Sequence, residues 1–155
     1  MLRETILVFA VLVAVASATQ VFECGSGAPY TDSSQVKISG CDKPPCKLKR
    51  GTRAWVEQKF VAGHDTSTVT NSVFAMVLSV PLPFVGVDGT SACESIFNAD
   101  GTPASCSLKQ GTEYIYKREF AILPVYPTIS LTIHYALKDG DRHITCFEVP
   151  AKITN

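Results

Sequence analysis

Six cysteines, at positions 24, 41, 46, 93, 106 and 146, constrain this chain more than any other feature. They follow an N-terminal stretch that carries Arg3, an unbroken apolar run from Ile6 to Ala16, and the small residues Ala16-Ser17-Ala18. A charged start, a short apolar run and a small-residue cleavage site together describe a secretory signal peptide. The run is too short for the roughly 20 apolar residues of a bilayer-spanning helix, so a retained anchor is the weaker reading. Residues 1–18 are therefore expected to be a cleaved signal peptide and residues 19–155 one domain, secreted or delivered to a lumen. In such an oxidising setting an even number of cysteines pairs into three disulfides, which let a small core persist. Spacing alone does not choose among the connectivities. Only Cys41-Asp-Lys-Pro-Pro-Cys46, stiffened by two prolines, favours a local bridge. Zinc is disfavoured because that pair lacks a matching second Cys/His pair.

Charge narrows the partners. Basic and acidic residues balance at 14 each, and the longest basic cluster is Lys47-Leu48-Lys49-Arg50, so the electrostatic footprint of a nucleic-acid binder is missing. No Asn-x-Ser/Thr sequon occurs.

The pattern along the chain is that of β-structure. Alternation with turn signals between runs predicts strands over 20–23, 35–39, 53–62, 68–80, 114–123, 128–138 and 142–153. In the run from Arg53, Ala54, Val56 and Phe60 share one face and Trp55, Glu57, Lys59 and Val61 the other. Over 68–80, Met76, Leu78 and Val80 fall on one side and read as a strand passing into the interior. The clearest alternation sets Ile129, Leu131, Ile133, Tyr135 and Leu137 against Ser130, Thr132, His134 and Ala136. An Asp139-Gly140 turn leads into the last strand. About seven antiparallel strands at this spacing imply an all-β sandwich of two sheets. The segment 81–107 is expected to be a long irregular loop, functional, stapled or both.

No catalytic constellation emerges, and the chain is not expected to be an enzyme or to carry a cofactor. His64, His134 and His143 are scattered without a nucleophile elbow or a His-Glu-x-x-His motif, and all three read as surface residues. Asp139 and Asp141 fit a hairpin better than a calcium loop. Asp88, Glu94 and Asp100 read as solvated loop acids. The informative anomaly is apolar character where loops should be polar: Pro81-Leu82-Pro83-Phe84, and Leu123-Pro124-Val125-Tyr126-Pro127. These segments either cap a filled core or form the mouth of an apolar site whose polar tip is Tyr126. Composition by itself favours the cap.

Five short motifs in one order carry a resemblance. They are Phe22-Glu23-Cys24-Gly25-Ser26, Cys41-x4-Cys46, Val80-Pro81-Leu82-Pro83-Phe84, Tyr126-Pro127-Thr128-Ile129 and Cys146-Phe147-Glu148-Val149-Pro150. Together they resemble the Niemann-Pick type C2 proteins of the ML (MD-2-related lipid-recognition) family, from about Val21 to Ile153. The resemblance implies an immunoglobulin-like β-sandwich whose sheets part around an inter-sheet apolar cavity, and the bridges Cys24–Cys146, Cys41–Cys46 and Cys93–Cys106. It places the cavity mouth at Phe84, Ile122 and Tyr126. Alternation adds Ile38, Val56, Met76, Leu131, Ile133, Tyr135 and Phe147 as inward wall residues. Tyr135 and Phe147 stand where vertebrate sterol carriers commonly have tryptophan, so the cavity is expected to differ in shape. The implied function is a monomeric, non-enzymatic carrier of a sterol, fatty acid or similar apolar molecule, with transient membrane contact or a lipid-accepting membrane protein as partner. A semiochemical carrier in extracellular fluid and an immune protein displaying a microbial lipid are the alternatives. The absent sequons leave sugar-tagged delivery to an endosomal or lysosomal lumen uncertain.

Overall fold

The computed structural model describes residues 18–155, so the expected signal peptide lies almost wholly outside the described residues. Ten strands form two facing sheets: β1 (Phe22–Glu23), β2 (Val36–Ile38), β3 (Cys46–Lys49), β4 (Arg53–Val61), β5 (Thr70–Val77), β6 (Val80–Pro83), β7 (Ile96–Asn98), β8 (Glu113–Ala121), β9 (Ser130–Asp139) and β10 (Arg142–Thr154). The larger sheet runs β1-β10-β9-β5-β6, with β3 also paired to β10; the smaller runs β2-β4-β8-β7. Among the described residues no helix is long and apolar enough to cross a membrane.

The sandwich is as expected, but its strands are more numerous. Alternation is read across a hairpin at 78–79: β5 ends at Val77, and Leu78 and Ser79 turn the chain with φ of 47° and 67°. Neither residue is the Gly or Asn that normally marks such a turn. The apolar sequence Val77-Leu78-Ser79-Val80 thus looks continuous although the chain reverses within it. The segment 81–107 is not wholly irregular, since it holds the end of β6, a 3-10 turn over Cys93–Ser95 and β7. β3 was not expected, and it pairs in parallel with β10. Not every pairing is therefore antiparallel.

β10 organises the larger sheet. One edge pairs along β9 from Arg142 to Lys152. The other is shared between β1, opposite Phe147 and Glu148, and β3, opposite Ala151 to Thr154. Pro150, which has no N–H to contribute, falls in the gap between those two partners. In the β9–β10 hairpin Asp139 pairs with Arg142, so the central turn residues are Gly140 and Asp141, one position later than expected. Gly140 there adopts φ of 59°.

Alternation sends Val56, Gln58 and Phe60 of β4, Tyr114, Tyr116 and Phe120 of β8, and Leu131, Ile133, Tyr135 and Leu137 of β9 into the space between the sheets, where all are buried. The bridges are Cys24–Cys146, Cys41–Cys46 and Cys93–Cys106, and no cysteine is free. The first ties β1 to β10 within one sheet over a separation of 122 residues. Loop-closure entropy gives it about 5 kcal/mol, against about 2 kcal/mol for the five-residue separation of Cys41–Cys46. Replacing Cys24 and Cys146 with alanine should accordingly lower the urea midpoint clearly more than replacing Cys41 and Cys46, measured by tryptophan fluorescence.

Candidate functional site

Between the sheets runs an apolar seam with two voids. The outer, about 40 Å³, opens at one end of the sandwich and is bordered by Ala75, Val77, Leu82, Phe84, Tyr126 and Leu131 among others. The inner, about 10 Å³, is bordered by Ile38, Val56, Phe120, Ile133, Tyr135 and Phe147, with Cys46, Leu48 and Val149 completing it. Both are far below the roughly 300 Å³ at which small-molecule pockets begin. The seam is closed in this conformation, and a sterol-sized molecule requires the sheets to separate.

Phe84 holds the outer end shut. It follows β6, is buried, and packs edge-on against Phe120 of β8 at 5.9 Å and against Tyr126 at 5.7 Å. The hydroxyl of Tyr126 accepts a hydrogen bond from the Val85 backbone N–H at 3.1 Å, which fixes the ring beside the opening. Around this end the surface is apolar: Leu78 is 95% exposed and Val125 82%, and Val80, Leu82 and Val85 are also exposed. These five are among the seven large exposed hydrophobic residues described, so the apolar surface is concentrated rather than scattered.

The expected site residues divide as follows. Phe84, Tyr126 and Leu131 border the outer void; Ile38, Val56, Ile133, Tyr135 and Phe147 border the inner one. Ile122 is fully buried just beyond β8 and borders neither void. Met76 requires correction. It sits opposite Thr132, whereas Ala75 sits opposite the inward Ile133, so Met76 lies on the outer face of the larger sheet and Ala75 takes the inward place. Alternation carried through the unmarked turn at Leu78 and Ser79 puts Met76 on the wrong face. Ala75, Val77 and Phe120 were legible in principle as alternating strand positions.

Beyond the inner void the seam ends in polar groups. The Tyr116 hydroxyl donates to Asn71 Oδ1 at 2.6 Å and meets the Tyr135 hydroxyl at 2.7 Å, all buried. Asn71 Nδ2 donates in turn to the Thr90 carbonyl at 3.2 Å and hydroxyl at 3.1 Å. Gln58, directly opposite Tyr116 in the β4–β8 register, is fully buried and donates through Nε2 to Thr145 Oγ at 2.6 Å. Burial pushes the Tyr116 phenol up to about 12 and raises that of Tyr135 well above its ordinary value.

Two of the three histidines are less exposed than expected. His134 stacks on Phe74 at 4.4 Å, lies 3.1 Å from a Glu148 oxygen and touches the Cys24–Cys146 bridge. That cluster superficially resembles a metal site, but both sulfurs are spent in the disulfide. His64 is half-buried 3.4 Å from Asp139, and His143 is exposed. Asp88 is structural, since its carboxylate accepts from the Val73 N–H at 2.9 Å. Asp100 accepts from the Thr102 hydroxyl and N–H, which lowers its pKa.

A family model described as the ML domain matches residues 18–153. The chain belongs to the ML domain family. It is 31% identical to NPC intracellular cholesterol transporter 2 homolog a of Drosophila melanogaster, covering 99% of both chains. Similarity extends to mite group 2 allergen Lep d 2 of Lepidoglyphus destructor, at 34% identity over 68% of each chain. Among solved structures, a Niemann-Pick type C2 protein from Japanese carpenter ant superposes with a TM-score of 0.66 at 26% identity, covering 92% of this chain and 96% of that one.

The buried tyrosines give the domain an alkaline limit. With folded pKa values raised above an unfolded value near 10, both phenols remain protonated in the fold while the unfolded chain releases protons. Their contribution is therefore complete below pH 10 and falls as pH rises towards the folded values. Urea midpoints measured from neutral pH upward should decline beyond pH 10, and Tyr116→Phe should flatten that decline.

Proposed function

We propose that this domain is a non-enzymatic lipid carrier that holds a sterol, or an apolar ligand of similar size, between its sheets and passes it between membranes. The observation that carries this reading is the apolar rim converging on an apolar seam that the rings of Phe84, Phe120 and Tyr126 close. A molecule that merely capped a filled core would have no reason to concentrate exposed Leu78, Val80, Leu82, Val85 and Val125 at that end. The names of its relatives, among them a cholesterol transporter homologue, point to the sterol. Three disulfides fit a secreted protein or one resident in an endosomal or lysosomal lumen.

In this mechanism the ligand displaces the Phe84 ring, its apolar body moves along the seam, and its polar head stays beside Tyr126. Burying about 300 Å² of ligand at about 25 cal/mol per Å² supplies roughly 7 kcal/mol before ordering costs. Binding must also separate contacts that are closed in the empty protein. Release directly into water would forfeit that burial, so transfer occurs against a membrane or an accepting protein. Leu78 suits such contact: it is nearly fully exposed, and it holds a left-handed conformation that is costly for a bulky side chain.

Two experiments test this. Phe84→Ala combined with Tyr126→Ala should weaken binding of a fluorescent sterol at least about tenfold, the scale of losing two aromatic contacts; unchanged binding in a folded variant would remove the mouth from this end. Leu78→Asn should leave the melting temperature equal or higher, because Asn tolerates the left-handed region, while slowing sterol transfer between vesicles. Equal transfer rates would exclude the rim as the membrane contact.

A further inference from the structure

We infer that the closed end of the seam is a second recognition point, which reads a hydroxyl at the leading end of the ligand; this rests on the carrier reading above. Hydrogen-bond direction leads there. A phenol has one proton, and Tyr116 gives its proton to Asn71 Oδ1. At the Tyr116–Tyr135 contact Tyr135 must then be the donor. The Asn71 amide is oriented by the carbonyls of Thr90 and Ser91, which accept from Nδ2. Donation thus runs from Tyr135 to Tyr116 to Asn71 to the 90–91 loop, away from the seam. Tyr135, whose ring stacks on Phe147 and borders the inner void, keeps acceptor lone pairs and receives no hydrogen bond.

Gln58 repeats the pattern. Its Nε2 donates to the Thr145 hydroxyl at 2.6 Å. Gln58 Oε1 is left buried with no partner. The closed end therefore offers acceptors in excess of donors, and a buried acceptor without a donor is costly. An ionised carboxylate or a ketone brings more acceptors and is rejected. An O–H on an otherwise apolar molecule completes the set. That chemistry is shared by a sterol hydroxylated on its side chain and a fatty acid hydroxylated at its tail, either of which keeps a polar head at Tyr126.

Dissociation constants of the intact domain should be compared for two pairs, cholesterol against a side-chain-hydroxylated cholesterol and palmitate against terminally hydroxylated palmitate. The expected result is that in at least one pair the hydroxylated member binds about three- to tenfold tighter, the scale of one net buried hydrogen bond. Which pair shows it identifies the framework. Tyr135→Phe and Gln58→Leu, tested separately, should each shrink that ratio. Equal or weaker binding of the hydroxylated member in both pairs, as when a trapped water already serves these acceptors, overturns the inference even if neither variant folds. A ratio that persists in both variants overturns it too. If no compound of either pair binds, the carrier reading falls and takes this inference with it; binding without preference removes only the inference.

Discussion

The contact on which this structure depends is the meeting of aromatic side chains from opposite sheets. Phe84 reaches Phe120 across the outer end, and Tyr116 reaches Tyr135 across the inner one. Neither sheet could be stable alone, because each would expose one apolar face. Yet the seam is incompletely filled: the inner void lies between these two contacts and the outer one on the open side of Phe84. A structural sandwich would fill the outer void with larger side chains. Here Ala75 faces the void, where a larger residue would fill it.

The placement of covalent links shows which side of the sandwich is free to respond. Cys24–Cys146 lies within the larger sheet, and Cys93–Cys106 anchors the segment around β7. Cys41–Cys46 links the end of β2 to the start of β3, and so is the bridge that clasps one sheet to the other. On the opposite side, where β6 faces β8, the sheets are joined by side-chain contacts: the Phe84–Phe120 pair, and Arg118 donating to the Gly86 carbonyl at 3.0 Å. Rings and a single exposed hydrogen bond separate at far lower cost than a disulfide. Separation of the sheets is thus easiest at the side and end where the apolar rim lies.

Legibility in the sequence followed physical regularity. β9 carries the clearest alternation, and the inward positions Leu131, Ile133, Tyr135 and Leu137 can be read directly from it. β5 failed because its turn uses Leu78 and Ser79 in a conformation that neither residue advertises, so the period carried Met76 to the wrong face. β3 is four residues behind two prolines, too short for periodicity to speak. The site divided in the same way. The wall was legible from alternation, whereas the mouth was not: apolar loops read first as core closure, and only the family motifs pointed to Phe84 and Tyr126. Gln58 was visible as a polar residue on the face shared by Val56 and Phe60. Its partner Thr145 and the neighbouring Tyr116–Asn71 pair lie on other strands, and nothing in the local pattern joins them.

That polar end also bears on selectivity. An apolar seam that opens by separation of sheets adapts to many shapes, and shape alone then discriminates weakly, since one methylene more or less changes binding by only about 1–3 kcal/mol. A buried hydrogen-bonding group behaves differently, because its partner is either present or missing and a mismatch leaves a polar atom unpaired. Tyr116, Tyr135 and Asn71 are held by neighbours on β5, β8 and β9 and by the 90–91 loop, so their geometry is set by the sheets rather than by the ligand. In the proposed carrier, a compliant mouth would admit the ligand and the rigid interior would select it. Tyr135 therefore contributes more than volume to the wall, because its phenol places a polar atom at the end of an apolar seam.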